Sequence, residues 1–313
     1  MQQLPDWATA LGPALFDARI RSEPADFVVT ESLAIDFSGD GEHDWLSVEK
    51  TGANTVWVAE QLARYAGVAV RDVGYAGLKD RHAITRQWFS VRRPSSEGTD
   101  WRPFDAQGVQ ILEHHRHSRK LRRGAHRGNA FRIALRADVD ALDRDVLEAR
   151  LKAITLGGVP NYFGEQRFGR GGGNIEIGRA VVAGKRLSRN KRSLGISALR
   201  SLEFNNALGA RVHDGTWNRL LPGDIANLDG TRSVFEAQEM TPEIERRCAE
   251  MDIHPAGVLP GFDALRVEAA YRPLRMRVTD LIWEMEIDAL WLEFSLGRGN
   301  YATAVIRELA ATS

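Results

Sequence analysis

The chain has 313 residues, 43% of them hydrophobic, and its 42 lysines and arginines are matched by 42 aspartates and glutamates. That length and apolar content fit two compact domains and exclude a disordered chain. A single cysteine, Cys248, excludes an internal disulfide, and the opening MQQLPDWATALGPALFDARIR lacks the basic-then-apolar pattern of a signal peptide. The expected setting is the reducing cytoplasm, and no uncharged apolar run approaches the length of a bilayer span, so no membrane is expected.

In chain order, Pro24 followed by Phe27, Val28 and Val29 predicts a turn entering a strand, and a second strand is expected over Trp45–Lys50. Apolar residues at Val56, Ala59, Leu62 and Ala63 predict an amphipathic helix over Thr55–Ala66, with Asn54 as its cap and Gly67 as its stop. Strands are expected over Gln87–Arg92 and Phe131–Leu135. Near Leu156 the texture changes to GGVPNYFGEQRFGRGGGNIEIG, and a long helical middle follows, broken by LPGD at Leu221–Asp224 and HPAGVLPG at His254–Gly261. Beyond about Leu274 the pattern returns to sheet: Leu290, Leu292, Phe294 and Leu296 alternate with polar or larger neighbours, and Tyr301–Ala311 closes as a helix. Strands and helices that do not alternate strictly predict a mixed α/β or α+β sheet rather than a doubly wound one. Strands at both ends of a different centre predict an inserted domain over about 157–275, within a domain formed by 1–156 and 276–313.

Charge is segregated although it sums to zero. The runs 114–136 and 185–200 contain no acid, while acids collect in 138–148 and 236–252. Basic faces concentrate polyanions, so a nucleic acid is the leading partner class, and no obligatory protein partner is evident. His114, His115 and His117 lie among cations that would repel a metal, so no metal site is expected and these histidines extend the basic face. The GRGGGN stretch at Gly169–Asn174 follows NYFGEQRF rather than an apolar strand and carries no Walker lysine, so it reads as a turn-rich loop able to touch a phosphate backbone.

The segment GYAGLKDRHAITRQWFSV, Gly74–Val91, sets Asp80 between Lys79 and Arg81, with Arg86 and aromatic residues close by. Neighbouring cations favour the ionised form, which suits a nucleophile or charge stabiliser better than a proton donor. Taken alone, the segment reads first as a solvated charged turn. Asn129 offers a donor and an acceptor to a base edge and Phe131 a stacking face, although a turn Asn followed by a core Phe is the plainer description of RGNAFRI.

Four segments together carry a resemblance: GLKDRHAITRQW around Asp80, RGNAF around Asn129, VPNYFGEQRFGRGG from Val159 and NKRSLGISALRSLEFNNAL from Asn190. The chain resembles the tRNA pseudouridine synthases of the TruD type over nearly its whole length, from PADFVV at Pro24 to NYATAVIREL at Asn300. The resemblance implies a pseudouridine synthase catalytic domain on a mixed sheet, interrupted by the family's inserted domain, and isomerisation of uridine 13 in transfer RNA without a cofactor. It places Asp80 on the catalytic aspartate and Arg21 on the basic residue that pairs with it. Arg21 stands where relatives have lysine, a change of geometry but not of charge. Phe27, Asn129 and Tyr301 fall on substrate-contacting positions, and Lys79 and Phe131 beside them are expected to contact the substrate too. The two basic runs are expected to grip phosphates. The alternative is an RNA-binding protein or RNA chaperone that keeps the fold without the reaction.

Overall fold

The protein is described from a computed structural model covering residues 4–93, 99–139, 141–227, 234–236, 252–254 and 271–312. The chain divides into two compact units. A sheet unit is made of Phe16–Arg144, Val278–Gly299 and Ala311–Ser313, and a helical unit of Met1–Leu15, Asp145–Arg277 and Asn300–Ala310. No helix among the described residues is long and apolar enough to cross a membrane.

The sheet unit opens with β1 (Phe16–Ala18), β2 (Phe27–Ser32) and β3 (His43–Lys50), then α1 (Thr55–Ala66), β4 (Val73–Tyr75), β5 (Ile84–Arg92), β6 (Val109–His117) and β7 (Gly128–Arg136). The helical unit follows with α2 (Arg144–Gly157), β8 (Val159–Pro160), α3 (Gly173–Val182), α4 (Arg189–His213), β9 (Ile225–Asn227), β10 (Val234–Glu236), β11 (Asp252–His254) and β12 (Arg275–Met276). The chain then returns to the sheet unit with β13 (Thr279–Glu286) and β14 (Ala289–Gly297), and ends in α5 (Ala302–Arg307) and β15 (Ala310–Thr312).

The main sheet has eight strands in the order β13-β14-β7-β2-β5-β3-β6, with β4 added at β5. Only β2 and β5 run parallel among these pairs, so the sheet is mixed, as the sequence pattern required. Successive side chains on a strand point to opposite faces, so register decides which residues meet. Val29 stands opposite Phe131 and Glu31 opposite Asn129 across β2 and β7, while Thr85 stands opposite Lys50 across β5 and β3. These residues therefore share one face. Over part of that face α1 lays Val58, Ala59, Leu62 and Ala63 on Leu46, Val48, Phe89 and Val91. Burying Val58 or Leu62 contributes about 2 kcal/mol each, which favours the docked helix.

Helix α1 covers the expected span, but Asn54 makes no side-chain cap bond. The hydroxyl of Thr55 is used elsewhere, as described below. Gly67 ends the helix in the left-handed region at φ 66°, where a side chain would be strained. Strand β14 is buried on both faces over Ala289–Leu292 and then alternates as expected, with Leu292, Phe294 and Leu296 buried and Glu293 and Gly297 exposed. The closing helix is shorter than expected: Tyr301 precedes it, and the chain is extended again by Ala310.

In the helical unit, α3 and α4 approach so closely that a Cβ on Gly178 would meet the Gly195 carbonyl at 2.4 Å. Trp7, Tyr162, Phe168, Ile175, Leu199 and Leu208 fill its core. The break at Leu221–Asp224 is a turn in which Asp224 accepts from the Leu221 amide at 2.8 Å and takes both arms of Arg211 at 2.9 Å. Of the expected break at 254–261, only His254 lies within the described residues, at the end of β11. The glycine stretch at 169–172 is a tight loop that leads into α3.

Candidate active site

The loop between β4 and β5 carries Asp80, and buried side chains from three elements hold its backbone. Lys50, fully buried on β3, donates from Nζ to the Ala53 carbonyl at 2.9 Å and to the Asp80 carbonyl at 2.8 Å. Thr55, at the start of α1, donates to Gln87 Oε1 at 2.9 Å and accepts from the Lys79 amide at 3.0 Å. Gln87, on β5, donates in turn to the Gly77 carbonyl at 3.3 Å. Burial lowers the Lys50 pKa to about 8, against the attraction of Asp80 that raises it. Three buried polar side chains spent on one loop indicate that its shape is what the fold preserves.

Within that loop Asp80 accepts from the His82 amide through Oδ1 at 3.0 Å, an Asx-type turn that fixes the carboxylate. Its Oδ2 lies 3.3 Å from the Arg21 guanidinium, with both side chains about one-third exposed or less. The Arg21 guanidinium also sits 4.2 Å above the Phe27 ring. Arg21 adopts φ 58°, a left-handed conformation that costs an L residue about 1–2 kcal/mol. Its Nε is buried without a hydrogen-bond partner among the described residues. Arg21 thus combines backbone strain with an unsatisfied donor beside the Asp80 carboxylate.

Lys79, the cation next to Asp80 in the chain, turns its ammonium to Glu31, 3.4 Å away, and to the side-chain oxygen of Asn129. The cation held against Asp80 is Arg21, the residue the resemblance pairs with it. Glu31 is buried on β2 and accepts from the Trp88 amide at 3.3 Å. Burial pushes Glu31 up and Lys79 down, and the attraction between them opposes both shifts. Because Lys79 occupies the Asn129 oxygen, the Asn129 amide nitrogen is the group it can offer outward.

Six of the seven singled-out residues, Arg21, Phe27, Lys79, Asp80, Asn129 and Phe131, belong to the sheet unit. Phe27 and Phe131 are buried and meet edge-on at 6.3 Å, with Phe131 stacked on Phe294 at 5.4 Å. Tyr301 belongs to the helical unit, where its ring meets Phe163 at 6.0 Å. The Arg272 guanidinium lies 3.9 Å over Phe163 in the same cluster, its pKa drawn down to about 10 by burial. Sequence reasoning passed over Glu31 and Lys50. Strand alternation could have found both, since each continues a buried row: Phe27, Val29, Glu31 and Leu46, Val48, Lys50.

The basic runs are also more structured than their sequences suggest. In 114–136, His114 and Arg116 pair with Asp44 at 3.1 and 2.6 Å, Arg132 with Glu293, and Arg136 with Asp26 and Asp288. Burial raises the Asp44 carboxyl, but hydrogen bonds from His114, Arg116 and Trp101 outweigh it and hold the group at about 2. His115 stacks on Phe37 at 4.3 Å, so these histidines serve the fold. Apart from Arg132 on β7, the exposed arginines of this run lie in the loop before β7: Arg119, Arg122, Arg123 and Arg127. The second run stays exposed from Lys185 through Arg192 and opens α4, whose first turn contains no acid.

Known proteins agree with this architecture. The family described as tRNA pseudouridine synthase D (TruD) matches residues 13–188. The chain is 43% identical to tRNA pseudouridine synthase D of Methylococcus capsulatus (strain Bath), over 97% of this chain and 94% of that one. It is 42% identical to the protein of the same name from Aeromonas salmonicida, over 93% and 90%. This chain belongs to the TruD family. A crystal structure from Methanosarcina mazei carrying that family name shares the fold at a TM-score of 0.76 over 98% of both chains, with 18% identity.

Proposed function

We propose that this chain is a tRNA pseudouridine synthase that isomerises uridine 13 of transfer RNA, with Asp80 as the catalytic carboxylate. The observation that carries this reading is the Asp80 carboxylate, set 3.3 Å from a strained Arg21 on a loop pinned by Lys50, Thr55 and Gln87. Isomerisation breaks the N1–C1′ bond, turns the uracil and joins C5 to C1′. The hydrogen on C5 leaves as a proton and N1 gains one, so the reaction balances without a cofactor. Asp80 acts at the sugar, by attack at C1′ or by assisting proton loss at C2′, or at the base by addition to C6. Arg21 aims it, and its free Nε donates to a substrate oxygen. Asn129 donates its amide to the uracil edge, while Lys79 holds Asn129 in orientation. Phe27 and Phe131 supply aromatic surface to the bound nucleotide, and Tyr301 is carried as a substrate contact on the resemblance alone. By chain order the catalytic domain is assigned to 1–156 and 276–313 and the inserted domain to 157–275, although Met1–Leu15, residues 145–156 and Asn300–Ala310 cluster with the helical unit. Tritium release from 5-³H-uridine tRNA, with mapping of the modified position, tests the assignment: an isomerase must release it, and an RNA chaperone releases none.

Cations at the first turn of α4 oppose the helix dipole, a cost that a bound phosphate would reverse, because the same amides and cations would then face an anion. Charge reversal of Lys191 and Arg192 together is expected to weaken tRNA binding about tenfold or more, and to flatten the salt dependence by about 2 in slope, with saturated turnover nearly unchanged. Filter binding across a salt series checks it. A fall in turnover with affinity intact would remove this segment from the phosphate grip.

A further inference from the structure

Leu78 is 64% exposed, in the same loop as Asp80. A solitary exposed leucine is ordinary and by itself means nothing. What distinguishes this one is that the backbone around it cannot withdraw it. The Ala76 carbonyl accepts from the Gly124 amide at 2.7 Å, and the Gly77 carbonyl from Gln87 at 3.3 Å. The Lys79 amide donates to Thr55 at 3.0 Å, and the Asp80 carbonyl accepts from Lys50 at 2.8 Å. Thr55, Gln87 and Lys50 are all buried, so moving the loop to cover Leu78 would orphan buried polar groups.

The surroundings are cationic. The bond from Gly124 ties the Leu78 loop to the basic loop that carries the exposed Arg122, Arg123 and Arg127, and Arg298 grips the Gly124 carbonyl from β14's end. Arg81, in Leu78's own loop, is exposed as well. An apolar side chain held out on the loop of Asp80, which a backbone bond ties to a loop of exposed cations, matches a gap in a base stack bordered by phosphates. An enzyme acting on a stacked uridine must create that gap, and a side chain that fills it recovers part of the unstacking cost.

We propose that Leu78 is a wedge that enters the RNA stack in place of the extruded target uridine. This rests on the synthase assignment above. The test places 2-aminopurine beside the target uridine of a tRNA substrate. Fluorescence is followed on binding to Asp80→Asn and to the Leu78→Ala/Asp80→Asn double variant, and single-turnover tritium release is measured for wild type, Leu78→Ala and Leu78→Met. Leu78→Ala is expected to slow turnover about 10–100-fold, with Leu78→Met restoring it to within about threefold, and the double variant to bind tRNA but lose the fluorescence rise. Turnover of Leu78→Ala within about threefold of wild type overturns the wedge. So does slower turnover with the fluorescence rise intact, since Leu78 would then act after extrusion. A wild-type chain that releases no tritium sinks the synthase assignment itself, which keeps the two failures apart. Because Leu78 is exposed, its replacement leaves the core untouched, and an unchanged melting midpoint shows the variant folded.

Discussion

Asp80→Asn is expected to form no measurable pseudouridine, a fall of at least about 1000-fold, while binding tRNA within about threefold of wild type. The amide has the carboxylate's shape and keeps an oxygen able to accept from the His82 amide, so the Asx turn survives. Lys50, Thr55 and Gln87 grip only the loop backbone and are indifferent to the side chain at position 80. What disappears is the carboxylate oxygen Oδ2 that faces Arg21 and that the proposed reaction requires. The variant therefore separates chemistry from shape, which Asp80→Ala would not, since alanine also removes the turn. Tritium release and filter binding on the same preparation read the two quantities. Conversion by a purified Asp80→Asn enzyme free of wild-type contamination would remove Asp80 from the reaction.

Much of this site was legible in the sequence, for definite reasons. The span of α1 followed from its apolar spacing, and the mixed sheet followed from strands and helices that did not alternate. Asp80 and Asn129 stood out locally only as a charged turn and a turn Asn; the resemblance gave them their roles and alone supplied Arg21. The resemblance paired Arg21 with Asp80, but the partners of Lys79 and of the basic run could not be read. Lys79 is the nearest cation to Asp80 along the chain, yet it serves Glu31 and Asn129, because β2 and β7 bring those two residues opposite each other. Arg21, distant in sequence, takes the place beside Asp80. The run 114–136 looked uniformly basic because the acids that pair with it, Asp44, Asp26, Glu293 and Asp288, lie on other strands or turns. Charge along the chain predicts surface potential only where no neighbouring strand supplies the counter-charge.

Lys50→Met is expected to lose about 100-fold in turnover while keeping nearly the wild-type stability at neutral pH. The two effects part because they have different origins. Burying the Lys50 charge lowers its pKa from 10.5 to about 8, equivalent to roughly 3 kcal/mol of penalty that methionine does not incur. Against that gain, the carbonyls of Ala53 and Asp80 lose their donor, at about 1–3 kcal/mol each. These terms offset one another, so stability changes little, but the Asp80 backbone is released and its carboxylate is no longer aimed. The sign of the pH dependence gives an independent check. Between about pH 8 and 10.5 the unfolded chain keeps the Lys50 proton and the folded chain does not, so this group makes wild-type stability rise with pH across that window. Urea unfolding of both proteins at pH 7.5 and pH 10 is expected to show wild type gaining on the variant, by up to roughly 3 kcal/mol as the window is crossed. A variant that turned over normally would show that Lys50 does not position Asp80. One that lost both activity and several kcal/mol at neutral pH would show that the lysine holds the fold instead of the reactive loop.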